Sequence, residues 1–489
     1  MVTRRNFIMS AAGSSLFPLA ATAASARPNL RVGILSDVHV NERAAVPLRS
    51  AFEFFRMRKV DAVLIAGDLS TRGQIEELQL LAKIWLEIFP GDRLPDGSPV
   101  ERLFITGNHD VDGHCFKPLT ARKPLADAEA DSFYFHREKF WRELFRIEYA
   151  PVVKREVKGY VFVLRNWHSR LTCSQLKSAG WEGYSAEPEK NPLPEWFDRH
   201  AGELPLDRPF FFCQHEPPAG TCSQDGVKAL FDDGTAKRML KDFPNALSLS
   251  GHSHYSVLNG SSIWQGEFTA VNCGSSCGYA FTPPGRENGH TGSGDWRRRP
   301  PMTMPPVDFT ACQQGLLMEV FDDRIVFERR DWKYGLRLGG DWVVPLGNSA
   351  PRPYRPDCRS ASAPAPEFAA DAVVSVRRLA DGKNRIGGTE AMIEVSFPPL
   401  NGLSGGGARA FDFEVDARWS GRDGSPRETS MRVYSPNALM APQFDVKPAV
   451  CRFRADTFSD SDGDGIAFSV TALNEWGRRS RPIKTVWKL

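Results

Sequence analysis

The sequence predicts an α/β protein that ends in an all-β region, and three observations carry that reading. Short apolar runs of four to seven residues recur, and each leads directly into polar residues. Between the first of these runs, apolar residues fall at helical spacing, so strand and helix alternate. Beyond a stretch loaded with Pro, Ser and Ala, the pattern changes to short alternating runs separated by turn signals.

The strands come first. Leu30-Arg31-Val32-Gly33-Ile34-Leu35 leads into Asp37, and Val60 to Ala66 leads into Gly67-Asp68. Leu103-Phe104-Ile105-Thr106 leads into Gly107-Asn108-His109-Asp110. Phe210-Phe211-Phe212-Cys213 leads into Gln214-His215, and Ala246-Leu247-Ser248-Leu249 into Gly251-His252-Ser253-His254. Helical spacing covers residues 44–58 and 74–89, the second through Ile75, Leu78, Leu81, Ile84, Trp85 and Ile88. Asp131 to Tyr149 reads as one aromatic-rich amphipathic helix. In sheets of this kind ligands sit at the carboxyl ends of the strands, where the polar clusters fall.

Residues 281–310, rich in Gly, Pro and Arg, read as a long loop before the strand Leu316 to Val320. Residues 346–368 read as a linker. Alternation resumes at Met392 to Phe397, Phe411 to Val415 and Ile466 to Ala472, which predicts a β-sandwich over 369–489. Phe468 to Gly477, with Asn474-Glu475-Trp476-Gly477, resembles the last hairpin of a fibronectin-type-III-like module.

The N-terminus has a charged start, Thr3-Arg4-Arg5-Asn6-Phe7-Ile8, a mildly apolar middle from Ala11 to Ala23, and small residues at Ala24-Ser25-Ala26. That layout predicts a signal peptide over 1–26, and the arginine pair resembles a twin-arginine export signal. The expected partner is the twin-arginine export machinery, and the expected location is periplasmic or secreted. Cleavage would lower the formal charge from +3 to +1 by removing Arg4 and Arg5. No dense basic tract argues for nucleic acid, and the expected mature chain has no apolar run long enough to span a bilayer. Nine cysteines lack the C-x-x-C spacing of a structural zinc site. Export permits disulfides, with Cys273–Cys277 and Cys213–Cys222 as possible pairs beside buried free thiols.

Five of the ten histidines, at 39, 109, 215, 252 and 254, follow expected strands beside Asp, Asn or Gly. Imidazole, carboxylate and amide oxygen together suit zinc, iron or manganese. The glycines at 67, 107 and 251 suggest tight, sometimes left-handed, turns where the chain bends round a metal.

Asp37-Val38-His39, Gly67-Asp68, Gly107-Asn108-His109-Asp110, His215 and Gly251-His252-Ser253-His254 resemble, in order, the five signature blocks of the calcineurin-like metallophosphoesterase superfamily. The resemblance covers roughly residues 30–340 and implies a four-layer αββα sandwich over 27–345. It implies that Asp37, His39 and His254 hold one metal, that Asn108, His215 and His252 hold a second, and that Asp68 bridges both. It makes His109 a substrate-facing proton donor, oriented by Asp110. The implied reaction is hydrolysis of a phosphomonoester or phosphodiester. Two transition-metal ions (Fe, Mn or Zn) would share a water and lower its pKa, giving a bridging hydroxide as nucleophile.

Two departures matter. Thr71 stands three residues after Asp68, where purple acid phosphatases carry a tyrosine ligand, and Glu216 follows His215 where relatives often carry a second histidine. His114 is the leading substrate-binding candidate, ahead of Arg72, Tyr255 and Arg297-Arg298-Arg299. Asp460 to Gly465 opens like a calcium loop but has Thr471 at the twelfth position, so an acidic turn is expected. The rival reading is an exported binding protein whose β-sandwich docks glycan or protein beside an inactive first domain.

Overall fold

The computed structural model describes residues 27–113, 132–169, 188–222, 232–276, 313–347, 349–383, 389–400, 409–435 and 448–488. The first elements are β1 (Leu30–Leu35), α1 (Glu42–Met57), β2 (Ala62–Ala66), α2 (Ile75–Ile88), β3 (Glu101–Ile105), α3 (Asn108–Val111) and α4 (Arg137–Phe145). Then follow β4 (Val152–Val157), β5 (Tyr160–Arg165), α5 (Leu193–His200), β6 (Phe211–Cys213), α6 (Thr235–Leu240), β7 (Leu247–Ser250), β8 (Ile263–Gln265) and β9 (Thr269–Asn272). The α/β region closes with β10 (Gln314–Val320), β11 (Arg324–Asp331), β12 (Leu336–Arg337) and β13 (Trp342–Pro345).

One sheet runs β12-β11-β10-β1-β2-β3, with β13 on β11, and the other runs β4-β5-β6-β7-β9-β8. The period-two alternation of strand side chains decides what each face meets. In β2, Ala62, Leu64 and Ala66 enter the core between the sheets, while Val63 and Ile65 pack with the aromatic residues of α1, α2 and α4. In β6, Phe211 and Cys213 turn to the inter-sheet core, while Phe210 and Phe212 join Trp196 and Phe197 of α5 and Leu240 of α6. Helices, sheet, sheet and helices therefore form the four expected layers. β1, β2 and β3 run parallel, as do β5, β6, β7 and β9, so the carboxyl ends within each set share an edge.

Past α7 (Pro356–Ser362), the chain forms β14 (Ser375–Lys383), β15 (Thr389–Phe397), β16 (Asp412–Ser420), β17 (Pro426–Tyr434), β18 (Ala449–Arg454), β19 (Ile466–Leu473) and β20 (Ile483–Trp487). These make two antiparallel sheets, β14-β15-β18 and β17-β16-β19-β20, around one apolar core. The sandwich is tied to the linker by Asn474 Nδ2, which donates to the Pro364 carbonyl at 2.8 Å, and by Arg478 Nη2 to the Ala361 carbonyl at 2.7 Å, and to the α/β region by Arg409 Nη2, which donates to the Leu258 carbonyl at 3.3 Å.

Several expectations change. The single helix over 131–149 becomes a bridge at Ser132, a 3-10 turn at Phe133–His136, and α4, which a left-handed Arg146 ends. The linker contains a short helix, α7, with Pro356 in its first turn. Cys213 and Cys222 are not paired: both are buried free thiols, as is Cys273, whereas Cys277 lies outside the described residues. The acidic loop at Asp460 is the turn expected, its carboxylate accepting from Trp419 Nε1 at 2.9 Å and Arg427 Nε at 3.1 Å. The loop 281–310 and residues 1–26 lie outside the described residues.

Candidate metal centre

The polar residues after β1, β2, β3, β6 and β7 converge between the two sheets. Asp37, His39, Asp68 and His254 each offer a ligand atom within 4.8 Å of the others, and Asp68, His215 and His252 form a second such group. The two groups share Asp68. Five of these six residues, Asp37, His39, Asp68, His252 and His254, have positive φ between 43° and 62°. That conformation is uncommon for residues with a Cβ and costs of order 1–3 kcal/mol each, so the surrounding fold must hold it in place. The expected left-handed glycine occurs at Gly67, φ +90°, but Gly107 and Gly251 are needed for space instead. A Cβ on Gly107 would collide with the Asp68 carboxylate, and one on Gly251 with the Ser36 hydroxyl.

The donor spacings suit a cation. His254 Nε2 lies 3.1 Å from Asp37 Oδ1, His215 Nε2 3.2 Å from Asp68 Oδ2, His39 Nε2 3.5 Å from Asp68 Oδ2, and the Nε2 atoms of His39 and His254 are 3.4 Å apart. Donors bound at about 2.0–2.2 Å around one transition metal stand about 3.0–3.5 Å from each other at octahedral or tetrahedral angles. His215 Nδ1–H donates to the Ala66 carbonyl at 2.7 Å, which leaves Nε2 as the lone-pair atom. Two buried atoms, Asn108 Oδ1 and His215 Nε2, make no hydrogen bond. Such orphaned acceptors are costly unless something else satisfies them, and a cation would.

Electrostatics tie the cluster together. Burial alone would raise Asp37, but the imidazoles of His254 and His215 bring it down to about 2. Asp68 falls well below the usual carboxylate range because His215, His109 and His39 outweigh its burial. Burial lowers His39 to about 3, and burial with His215 nearby lowers His252 to about 4. For His215 burial works the same way, but the Asp68 carboxylate overcomes it and raises the group to about 9. His39 and His252 are therefore neutral and Asp37 and Asp68 ionised, the forms in which divalent metals take them, while His215 would have to give up its proton to a bound cation.

His109 stands beside this cluster, its ring 4.6 Å from that of His39, edge to face. Its backbone N–H donates to Asp68 Oδ1 at 2.8 Å, which docks the α3 turn on the shared carboxylate. The expected orienting role of Asp110 is corrected. Asp110 accepts from the backbone N–H groups of Leu69 (3.1 Å), Ser70 (2.7 Å) and Gly107 (2.8 Å) and from the Ser70 hydroxyl at 2.7 Å. It staples the β2 and β3 loops together, and its burial raises it to about 6. His109 is held instead through Nδ1–H to the Thr71 carbonyl at 2.8 Å, leaving Nε2 to exchange a proton.

Of the substrate candidates, Tyr255 is fully buried and Arg72 is exposed. His114 and Arg297-Arg298-Arg299 lie outside the described residues. The sequence reading missed the end of β5. Trp167 lies with its ring 5.8 Å from that of His252 and 6.1 Å from that of His215, and its Nε1–H donates to Asp112 at 2.9 Å. Glu216 is paired with Arg165, whose other arm reaches His168 Nδ1. The signal was available: Tyr160 to Leu164 is one more apolar run leading into polar residues.

A layered α/β fold that gathers two histidine–aspartate groups around one shared carboxylate is a metal-binding scaffold of a recurrent kind. Residues 30–256 match the family model described as calcineurin-like phosphoesterase, so this segment is a calcineurin-like phosphoesterase domain. No curated protein matches the chain. Similar solved structures include a dimetal phosphatase from Danio rerio, at 11% identity over 65% of this chain and 100% of that one, TM-score 0.36. GAP50, the anchor in the inner membrane complex of Plasmodium, shares 13% identity over 66% and 90%, TM-score 0.36. Purple acid phosphatase PPD1 from yellow lupin shares 12% identity over 66% and 55%, TM-score 0.40.

Proposed function

We propose that the chain hydrolyses phosphate esters with two transition-metal ions. Asp37, His39 and His254 would hold one, Asn108, His215 and His252 the other, and Asp68 both. The observation that carries this reading is the pair of ligand groups sharing Asp68. Bound there, the ions would supply Lewis-acid stabilisation of phosphoryl oxygens and an ionised water near neutral pH.

The chain's own groups do the rest. Ala66 fixes His215 with its lone pair turned inward, and the His252 N–H, 3.0 Å from Asp37 Oδ2, orients that carboxylate. His109, held by Thr71, delivers a proton from Nε2 to the departing alkoxide. Thr71 offers no phenolate, which argues against a purple-acid-phosphatase type of site. The buried Trp167 ring, 5.8 Å from that of His252, forms an apolar wall beside the second ligand group.

The N-terminal arginine pair supports export by the twin-arginine route to the periplasm or beyond. That route carries folded proteins, which suits an enzyme that loads metal first. Among the described residues no helix is long and apolar enough to cross a membrane. Among the described residues, seven C-terminal strands in two antiparallel sheets support the fibronectin-III-like reading.

Elemental analysis of the purified protein, with turnover of an aryl phosphate, tests the proposal. About two metals per chain and metal-dependent turnover are expected. Asp68→Asn should lose metal from both groups, because one carboxylate serves each. Absence of metal together with inactivity after adding manganese, zinc or iron would overturn it.

A further inference from the structure

Residues 272–276, at and after the end of β9, include none of the proposed ligands, yet they hold two of the loops that carry them. Ser276 N–H donates to the Ser36 carbonyl at 3.0 Å, one residue before Asp37. Cys273 N–H donates to the Ser250 carbonyl at 2.7 Å, two residues before His252. Asn272 makes a third tie: its side-chain Nδ2 donates to the hydroxyl of Ser253. Asn272 closes β9 opposite Ser250 of β7, and both Asn272 and Ser253 are fully buried.

The orientation of this amide is fixed. Gly274 N–H donates to Asn272 Oδ1 at 3.0 Å, and a backbone N–H can only donate, so the NH2 group is the one turned to Ser253. Ser253 Oγ accepts a second, longer hydrogen bond from Tyr255 N–H at 3.4 Å, and the Ser253 N–H folds back to the Gly251 carbonyl at 2.6 Å. Ser253 separates two histidines of different ligand groups. His252 joins Asp68 and His215, while His254 joins Asp37, His39 and Asp68. Both flanking histidines have left-handed backbone, φ 62° and 52°. Two such residues in one short turn persist only where neighbours hold them, and a displaced Ser253 would carry both imidazoles with it.

We infer that Asn272 is a positioning residue that sets the spacing between the two metal sites, acting through Ser253. The inference rests on the two-metal reading above. Hydrogen-bond partners behind metal-binding histidines fix the geometry of the donors, and losing one typically costs about 10- to 100-fold in metal affinity. Here the partner serves the backbone between two histidines and not either ring. One change outside the ligand set should therefore disturb both sites together.

The test is manganese binding to the full chain, stripped with chelator and titrated with Mn(II). Electron paramagnetic resonance counts free and bound ions, and the exchange-coupled signal of a pair reports their separation. The wild type should bind two ions and show the coupled signal. Asn272→Ala should weaken manganese by about tenfold or more and diminish that signal. Ser253→Ala removes the same hydrogen bond from its other end, so it serves as the second variant if the first folds poorly. The double variant should be no worse than the weaker-binding single one, because both changes remove one interaction. Asn245→Ala is the control: its buried amide donates to the Leu206 carbonyl at 3.0 Å, before the opposite end of β7, and its loss should leave manganese binding alone. A wild type that binds no manganese would sink the two-metal reading and this inference with it. Two ions in the wild type with affinity and coupling unaltered in both single variants, losses that multiply in the double variant, or an equal loss in Asn245→Ala would each overturn the role of Asn272 alone.

Discussion

Arg165 Nη1 donates to Glu216 Oε2 at 2.7 Å, and the two side chains are only 1% and 0% exposed. The pair sits where β5 and β6 end side by side, one residue after His215. Removing one partner of such a buried pair leaves an uncompensated charge and costs about 3–5 kcal/mol. Glu216→Ala should lose that much in urea denaturation. The double variant Arg165→Met with Glu216→Met should recover much of the stability. It should not recover turnover, because Arg165 also holds His168 and Glu216 shares the loop of His215. Full activity in the double variant would limit the pair to a structural role.

Gly107→Ala places a methyl group against the Asp68 carboxylate and backbone nitrogen. Roughly 1–3 kcal/mol of destabilisation is expected from the clash, with loss of metal in elemental analysis. Gly202→Ala, where an added Cβ meets nothing within 4 Å, is the control and should leave the metal content alone.

His109→Ala should retain metal, because Nδ1 is spent on the Thr71 carbonyl and neither ligand group includes this residue. An alkyl phosphate releases a basic alkoxide and should lose most of the ~100- to 10,000-fold that general acid catalysis provides. A nitrophenyl phosphate should lose much less. Equal losses on both substrates would remove His109 from the role of leaving-group acid.

Asp331 at the end of β11 is raised to about 6 because burial outweighs the hydrogen bonds from Tyr334 and Lys333. Its folded-state value lies above the ordinary carboxylate value of 3.8. Its contribution to stability is therefore complete below that value and is lost as pH rises through about 6. Asp331→Asn should keep the acceptor for the Tyr334 N–H and remove this dependence. Urea midpoints of both proteins at pH 4 and pH 7 check it: the wild type should fall relative to the variant on going up.

Replacing Arg4 and Arg5 with lysines should hold unprocessed protein in the cytoplasm if the twin-arginine machinery reads the guanidinium pair. Immunoblots of periplasmic and cytoplasmic fractions measure this. Normal processing of the lysine variant would assign export to the general secretory route.

Much of this molecule was readable in one dimension because its signals are local. The continuous apolar runs Ala62 to Ala66 and Phe210 to Cys213, set against helical spacing in Ile75 to Ile88, mark strands buried on both faces and a helix buried on one. The fold class follows from their order. Asp37, His39, Asp68, His215, His252 and His254 were visible for the same reason: each directly follows an apolar strand, and parallel strands bring those ends to one edge. What the linear order hid are contacts between distant segments. Asp110 is next to His109 in sequence, yet its carboxylate serves the N–H groups of Leu69 and Ser70 on another loop. Gly107 and Gly251 look like turn residues, but it is Asp68 and Ser36 pressing on them that exclude a side chain. Arg165 meets Glu216 across 51 residues, and Arg409 meets Leu258 across 151. Short-range periodicity encodes which way a side chain points. Which partner waits there depends on how the layers close, and that is a property of the packed whole.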